Sequence, residues 1–271
     1  MKLLKNNNLE KLFFTDPLKK GISRHFGGIR LEYFYFNKQL VIKTNKNEVL
    51  NGCLLKGDAK LIFEEQSYNL KQFGFFFLPP KKEAIIRNVE LDSKHGNKVC
   101  LLYSPIKKQK EMKFELVNIN WKEFFSRGEL SSDDQMATLR EVWTALSNDY
   151  FISGFTNIPQ DSLKQGVVTS VNVEDINNNK CIFPHIHPDF PEVYIFCIDN
   201  PNYAITQYLI TKTGYSTCKE LRDGDGVFFP GNLGHMNFAK PTLLKMKFCM
   251  YMWMIPTFGL TSKVQPITLR Y

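Results

Sequence analysis

Short runs of β-branched and aromatic residues, each closed off by turn-forming text, fill the first hundred positions and most restrict what the chain can become. Such runs occur at Ile29–Phe36, Leu40–Thr44, Lys60–Phe63, Phe73–Leu78, Ala84–Arg87 and Val99–Tyr103, with Asn51-Gly52 and Lys56-Gly57-Asp58 between them. Strands of this length and spacing predict an all-β sandwich or barrel. A second strand-rich stretch, from Gly166 to Met254, carries the same punctuation, including Asp223-Gly224-Asp225-Gly226. A chain of 271 residues, 43% of them hydrophobic, can bury a core in each of two β modules.

The modules also share text. Leu70–Pro79 lies over Leu221–Pro230 at an offset of 151 residues with Leu, Phe and Pro coinciding, and a turn leading into an apolar strand that ends at proline is what a duplicated barrel would repeat. Between the modules, Ser132 and Gln135 form a capping box, and Asp133 and Asp134 suit the positive end of a helix dipole. Met136, Leu139, Val142, Trp143 and Leu146 continue as a stripe at helical spacing. These signals predict a short helical bridge. The expected organisation is therefore one module over 1–118, a helical connector over 119–165 and a second module over 166–271.

The formal charge of +8 is uneven: residues 1–127 hold 24 Lys/Arg against 13 Asp/Glu, and the remainder 11 against 14. The lysines are scattered through strand text, and their densest group is only Lys107, Lys108, Lys110 and Lys113, so a nucleic-acid partner is not expected. A basic surface instead suits a small anionic substrate, which it concentrates by steering. The longest apolar run, Phe248–Ile255, has eight residues, whereas a membrane span needs about 20; no membrane association is expected. The text MKLLKNNNLEK has no secretory h-region, and six cysteines without a CxxC pair suit a reduced compartment. A cytoplasmic protein is the expectation.

Three of the five histidines fall in the second module. His185 and His187, at i and i+2, share one face of a strand. Glu192 follows a turn marked by Pro188 and Pro191, and a hairpin there would return its carboxylate to the imidazoles. His235 comes from a Gly-containing loop after Pro230. Three imidazoles and one carboxylate suit a borderline divalent metal such as zinc, manganese, iron or nickel. The first module has only His25 and His95, and the offset of 151 sets Ala84 opposite His235. One divalent transition metal per chain, zinc first among the choices, is expected in the second module only.

His-x-His-x4-Glu with a later His, in a β-rich chain, resembles the metal motif of the cupin superfamily; Gly224, Pro230 and His235 match its second motif. With Val193, Tyr194 and Phe196 after the glutamate and Trp253 in the strand after the last histidine, the chain is most similar to the 5-dehydro-4-deoxy-D-glucuronate isomerases, also called 4-deoxy-L-threo-5-hexosulose-uronate ketol-isomerases. Where that family has a basic pair before the glutamate, Phe190-Pro191 stands here. The resemblance implies a bicupin, that is, two double-stranded β-helix modules, with a metal held by His185, His187, Glu192 and His235. It implies aldose–ketose isomerisation of a keto-deoxyuronate through an enediolate, and a homo-oligomer, a hexamer in the family. Candidate bases are Glu192, a hydroxide at the metal, or Tyr194, which shares strand parity with Glu192 and equally suits a barrel core. Alternation over Lys245–Met254 puts Lys247, Tyr251 and Trp253 on one face, and the family pattern has a lysine six before this Trp, making Lys247 the expected carboxylate binder. A manganese or iron oxidase and a non-catalytic sugar-acid binder are the alternative readings.

Overall fold

Strands form where aromatic and β-branched residues accumulate, and the first of the expected runs, Ile29–Phe36, is a strand with those same ends. The computed structural model describes residues 6–17, 21–26, 28–89, 96–106, 112–118, 130–131, 134–141, 151–157, 173–176, 179–182, 185–186, 191–239, 246–256 and 267–268. The chain begins with a single turn, α1 (Asn6–Leu9), a 3-10 turn at Glu10–Leu12 and β1 (Phe13–Phe14). It then divides into two compact units, Pro17–Phe124 and Met1–Asp16 together with Phe125–Tyr271, called the first and second barrel below. The sixteen N-terminal residues thus group with the second barrel, not with the first.

The first barrel contains β2 (Ile22–Phe26), β3 (Ile29–Phe36), β4 (Gln39–Lys43), β5 (Glu48–Lys56), β6 (Ala59–Phe63), β7 (Gln66–Leu70), β8 (Phe75–Leu78), β9 (Glu83–Asn88), β10 (Asn97–Pro105) and β11 (Glu115–Val117). They form a six-stranded sheet, β11-β8-β5-β10-β3-β2, and a four-stranded sheet, β4-β9-β6-β7. The second barrel adds β12 (Leu130–Ser131), β13 (Asp134–Glu141), β14 (Phe151–Asn157), β15 (Val173–Ile176), β16 (Asn179–Ile182), β17 (His185–Ile186) and β18 (Glu192–Ile198). It continues through β19 (Ile205–Ile210), β20 (Ser216–Leu221), β21 (Gly226–Phe229), β22 (Gly234–Ala239), β23 (Cys249–Pro256) and β24 (Ile267–Thr268). Its sheets run β1-β21-β18-β23-β14-β13-β12 and β20-β19-β22-β17-β24, with β15 and β16 pairing separately.

The central strand order is used twice: β8-β5-β10-β3-β2 and β4-β9-β6-β7 match β21-β18-β23-β14-β13 and β17-β22-β19-β20, and the second barrel adds β12, β24 and the β15–β16 pair. Adding 151 to β8 and β9 gives the bounds of β21 and β22 to the residue. The turn before β8 repeats as well. The Phe73 N–H donates to the Leu54 carbonyl at 2.6 Å, and the Gly224 N–H to the Phe196 carbonyl at 2.8 Å. Leu54 and Phe196 in turn donate to the carbonyls of Gly74 and Asp225, at 3.0 and 2.9 Å. Both turns need the left-handed region, with φ of 64° at Phe73 and 80° at Gly224. Glycine adopts that conformation freely; phenylalanine does so at a cost that its burial must offset.

This correspondence matches interiors position by position. Leu50 pairs with Leu78 as Glu192 pairs with Phe229, Leu61 with Ile86 as Gln207 with Asn237, and Ile42 with Ala84 as His185 with His235. Leu50, Leu61, Ala84 and Ile86 belong to one buried hydrocarbon cluster. The same scaffold therefore carries hydrocarbon in one copy and polar groups in the other.

The expected helical bridge is not seen among the described residues. Asp134–Glu141 is a strand, β13, between β12 and β14, with Thr138 opposite Asn157 and Glu141 opposite Gly154; Ser132, Asp133, Val142, Trp143 and Leu146 lie outside the described residues. A capping box is a short-range signal worth about 1 kcal/mol, and a sheet edge that supplies a full ladder of backbone partners outweighs it. Among the described residues, no helix is long and apolar enough to cross a membrane.

Hydrocarbon at the matched places of the first barrel implies that Leu61→Gln, which installs the second barrel's side chain there, destabilises the protein by about 2–3 kcal/mol. Urea denaturation of the two proteins measures this, with a lower midpoint for the variant.

Candidate metal centre

The site begins with strand parity. β18 is buried along its whole length, and its even-numbered side chains Tyr194, Phe196 and Ile198 join Tyr251 and Trp253 of β23 in the interior cluster of the second barrel. Glu192, two residues before Tyr194, takes the same face at the end of the strand and is 1% exposed. The opposite face, with Val193, Ile195, Met250, Met252 and Met254, is buried too, so neither face of this strand pair is left to solvent.

His235 enters from the second sheet. The turn before β22 places Asn232 in the left-handed region at φ 66°, as Lys81 stands at 59° before β9, and asparagine tolerates that conformation better than most residues. β22 then sets His235 opposite Leu209 on one side and His185 on the other. The imidazole is fully buried. Its Nδ1 lies 3.1 Å from the Leu233 carbonyl; a carbonyl can only accept, so Nδ1 carries the proton and Nε2 presents a lone pair. That lone pair accepts from the Tyr194 hydroxyl at 2.9 Å and stands 3.7 Å from Glu192 Oε2.

Burial pushes the Glu192 carboxyl up to about 8, and the neighbouring Tyr194 hydroxyl partly offsets that shift. The Tyr194 hydroxyl is itself held well above its ordinary value by burial, with the adjacent Glu192 charge adding to it. Aromatic rings wall the group in: the Tyr194 and Tyr251 centroids are 4.7 Å apart, and Phe229 lies 4.7 Å from the His235 ring.

An imidazole nitrogen and a carboxylate oxygen form the donor pair that borderline divalent ions prefer. Ligand atoms at about 2.0–2.2 Å from one tetrahedral ion stand roughly 3.4 Å apart, so the 3.7 Å between Nε2 and Oε2 needs only a small adjustment. A cation there would also reverse the burial penalty on the carboxylate. Of the other two expected ligands, His185 occupies the register position opposite His235 in β17, and His187 lies outside the described residues. Among the described residues no cluster of three ligand side chains occurs.

Tyr251 and Trp253 face the barrel interior, and Trp253 is the cross-strand partner of Tyr194. Lys247 does not join them. It is exposed on a bend two residues before β23 begins, and its N–H is held by the Asp199 carboxylate. Six residues separate it from Trp253, which at about 3.3 Å per residue is roughly 20 Å along the strand. β23 starts only at Cys249, so strand alternation does not extend back to Lys247. Two buried interior residues escaped the sequence reading, Gln207 and Asn237, opposite each other in β19 and β22. The available signal was parity: Asn237 is two residues from His235, and Gln207 alternates with Ile205 and Leu209.

No protein-family model matches the sequence, and no curated protein matches it. Solved structures do. An IolB-like protein from Salmonella typhimurium superposes with a TM-score of 0.59 at 12% identity, over 95% of this chain and 96% of that one. AerE from Microcystis aeruginosa gives 0.55 at 11% identity, over 92% and 100%. Bacillus subtilis oxalate decarboxylase, described with Mn(II) centres, gives 0.52 at 10% identity, over 95% and 79%. These likenesses and the twice-used strand order define the fold as that of a two-module cupin.

The Tyr194 hydroxyl bonds His235 Nε2 at 2.9 Å. In metal-free protein, Tyr194→Phe strips a buried acceptor of its donor and costs about 1–2 kcal/mol. Urea denaturation in the presence of a chelator tests this; an unchanged midpoint would show that the bond contributes nothing.

Proposed function

We propose that the protein is a metal-dependent aldose–ketose isomerase acting on a keto-deoxyuronate, of the type that converts 5-dehydro-4-deoxy-D-glucuronate to 3-deoxy-D-glycero-2,5-hexodiulosonate. The observation that carries this reading is the buried Glu192–Tyr194–His235 group in one of two matched barrels, where the other copy holds hydrocarbon at the corresponding places. The motif resemblance supplies the reaction class. The net charge of +8 agrees with an anionic substrate.

In this reading His185, His187, Glu192 and His235 hold one divalent metal, zinc by first expectation. When bound, the ion supplies Lewis-acid stabilisation of the negative charge that develops on an enediolate. The chain's own contributions are three. The Leu233 carbonyl fixes the His235 tautomer, so that Nε2 faces the centre. The closed aromatic wall excludes water that would protonate an enediolate at the wrong carbon. Tyr194 holds a proton beside Glu192 and His235, and it is the group placed to exchange that proton with an adjacent carbon or oxygen of the substrate. Tyr251 and Trp253 line the same interior and are the substrate-binding candidates. Association of the subunits as a homo-oligomer belongs to the same proposal.

Elemental analysis should find one transition metal per chain in the wild-type protein and less than about one tenth of that in His187→Ala and Glu192→Gln, given the 10–100-fold cost of damaging such a site. Turnover of a keto-deoxyuronate in D2O should place deuterium at the carbon that gains the proton, with no oxygen consumed. Oxygen uptake would assign an oxidase. Uronate binding without turnover would assign a binding protein. Lys247→Met should leave kcat/KM within about twofold, because an exposed cation this remote contributes only screened steering.

A further inference from the structure

Gln207 Oε1 and Trp253 Nε1, both in the interior of the second barrel, have no hydrogen-bond partner among the described residues. Gln207 is fully buried and Trp253 nearly so. The Gln207 amide is oriented, since its Nε2 donates to the Tyr208 carbonyl at 2.9 Å. Ile205 and Leu209, on the same face of β19, pack in the interior cluster that contains Trp253. Register places Gln207 one row from His235, through its partner Asn237, and Trp253 opposite Tyr194. Among the described residues, an acceptor and a donor are therefore left unpaired on strands that also carry, or pair with, residues of the candidate metal centre.

Burying an amide oxygen without a donor costs stability, and the fold does not require it. The first barrel puts Leu61 at the matching register position, opposite Ile86, and buries it completely. A costly side chain kept where its twin is hydrocarbon marks a place where function has been favoured over stability.

We infer that Gln207 is a specificity-determining residue whose carboxamide oxygen accepts a hydrogen bond from a hydroxyl of a polyhydroxy acid bound inside the second barrel, while the Trp253 indole N–H donates to an oxygen of the same molecule. The two atoms call for a hydroxyl and an oxygen acceptor; the acid comes from the proposed function. Oε1 needs a donor, which an alcohol has and a carboxylate or ketone lacks, and Nε1 needs an oxygen acceptor. This rests on the proposed ligand class, not on the isomerisation.

The test uses the metal-loaded full chain and D-glucuronate as probe, with Gln207→Leu and Gln207→Met. Calorimetric titration should show each variant binding glucuronate at least about tenfold more weakly, with its metal content unchanged and its melting temperature equal to or above that of the wild type. A wild-type protein that binds glucuronate and discriminates in this way, yet isomerises no keto-deoxyuronate, would sink the proposed reaction and leave this inference standing. Unchanged affinity in the variants overturns the inference, as does absence of glucuronate binding by the wild type. A lower melting temperature in both variants also overturns it, because Gln207 is then a structural amide satisfied by an ordered water.

Discussion

Everything distinctive in this structure depends on a carboxyl group and an imidazole held together where water does not reach. Glu192 and His235 approach to 3.7 Å and are 1% or less exposed. Such a pair is expensive to bury unless something else in the interior, a proton, a hydroxyl or a cation, makes up for lost hydration. Part of that compensation is visible, as Tyr194 bonds the imidazole and the Leu233 carbonyl fixes its tautomer. The rest of the barrel can be understood as the frame that keeps these groups in place, with β18 carrying the acid and the phenol, β22 the imidazole, and β23 the aromatic wall.

The duplicated architecture supplies an internal control that single-barrel proteins lack. The same strand order, the same corner hydrogen bonds and the same left-handed turn positions occur in both units. Differences between matched positions are then differences of purpose, not of packing necessity. Gly52 corresponds to Tyr194, and the ring of Phe76 fills the space above it so closely that an added Cβ would lie 2.0 Å from the ring. One barrel closes its centre with a phenyl ring, and the other opens it to a hydroxyl, an acid and an imidazole.

Much of this was legible from residue order. β3 has the ends that its aromatic text predicts, and the repeat of Leu70–Pro79 at Leu221–Pro230 turned out to mark β8 and β21. The acid and histidines stood out because ionisable residues are rare inside strands. Three things were not legible, each for a physical reason. The Ser132–Gln135 text resembles a helix start because capping is local, while β13 owes its form to partners far along the chain. Lys247 looked aligned with Trp253 because alternation contains no marker for where a strand begins; the bond from its N–H to Asp199 is a tertiary fact. Gln207 and Asn237 carry no local mark in the sequence, because sheet closure decides which side of a strand is inside.

The placement of β1 bears on how the protein emerges from the ribosome. Phe13 and Phe14 pair with Val227 and Gly226, partners made more than two hundred residues later, whereas Pro17–Phe124 is continuous and has all its strand partners within itself. That unit can fold as soon as its own residues have been synthesised. Phe13 and Phe14 must wait for the synthesis of more than two hundred further residues before their partner strand exists, and closing so long a loop slows that step. During the interval Phe13 and Phe14, buried in the finished protein, are displayed to solvent and to other nascent chains, a window in which association between chains competes with completion of the second barrel.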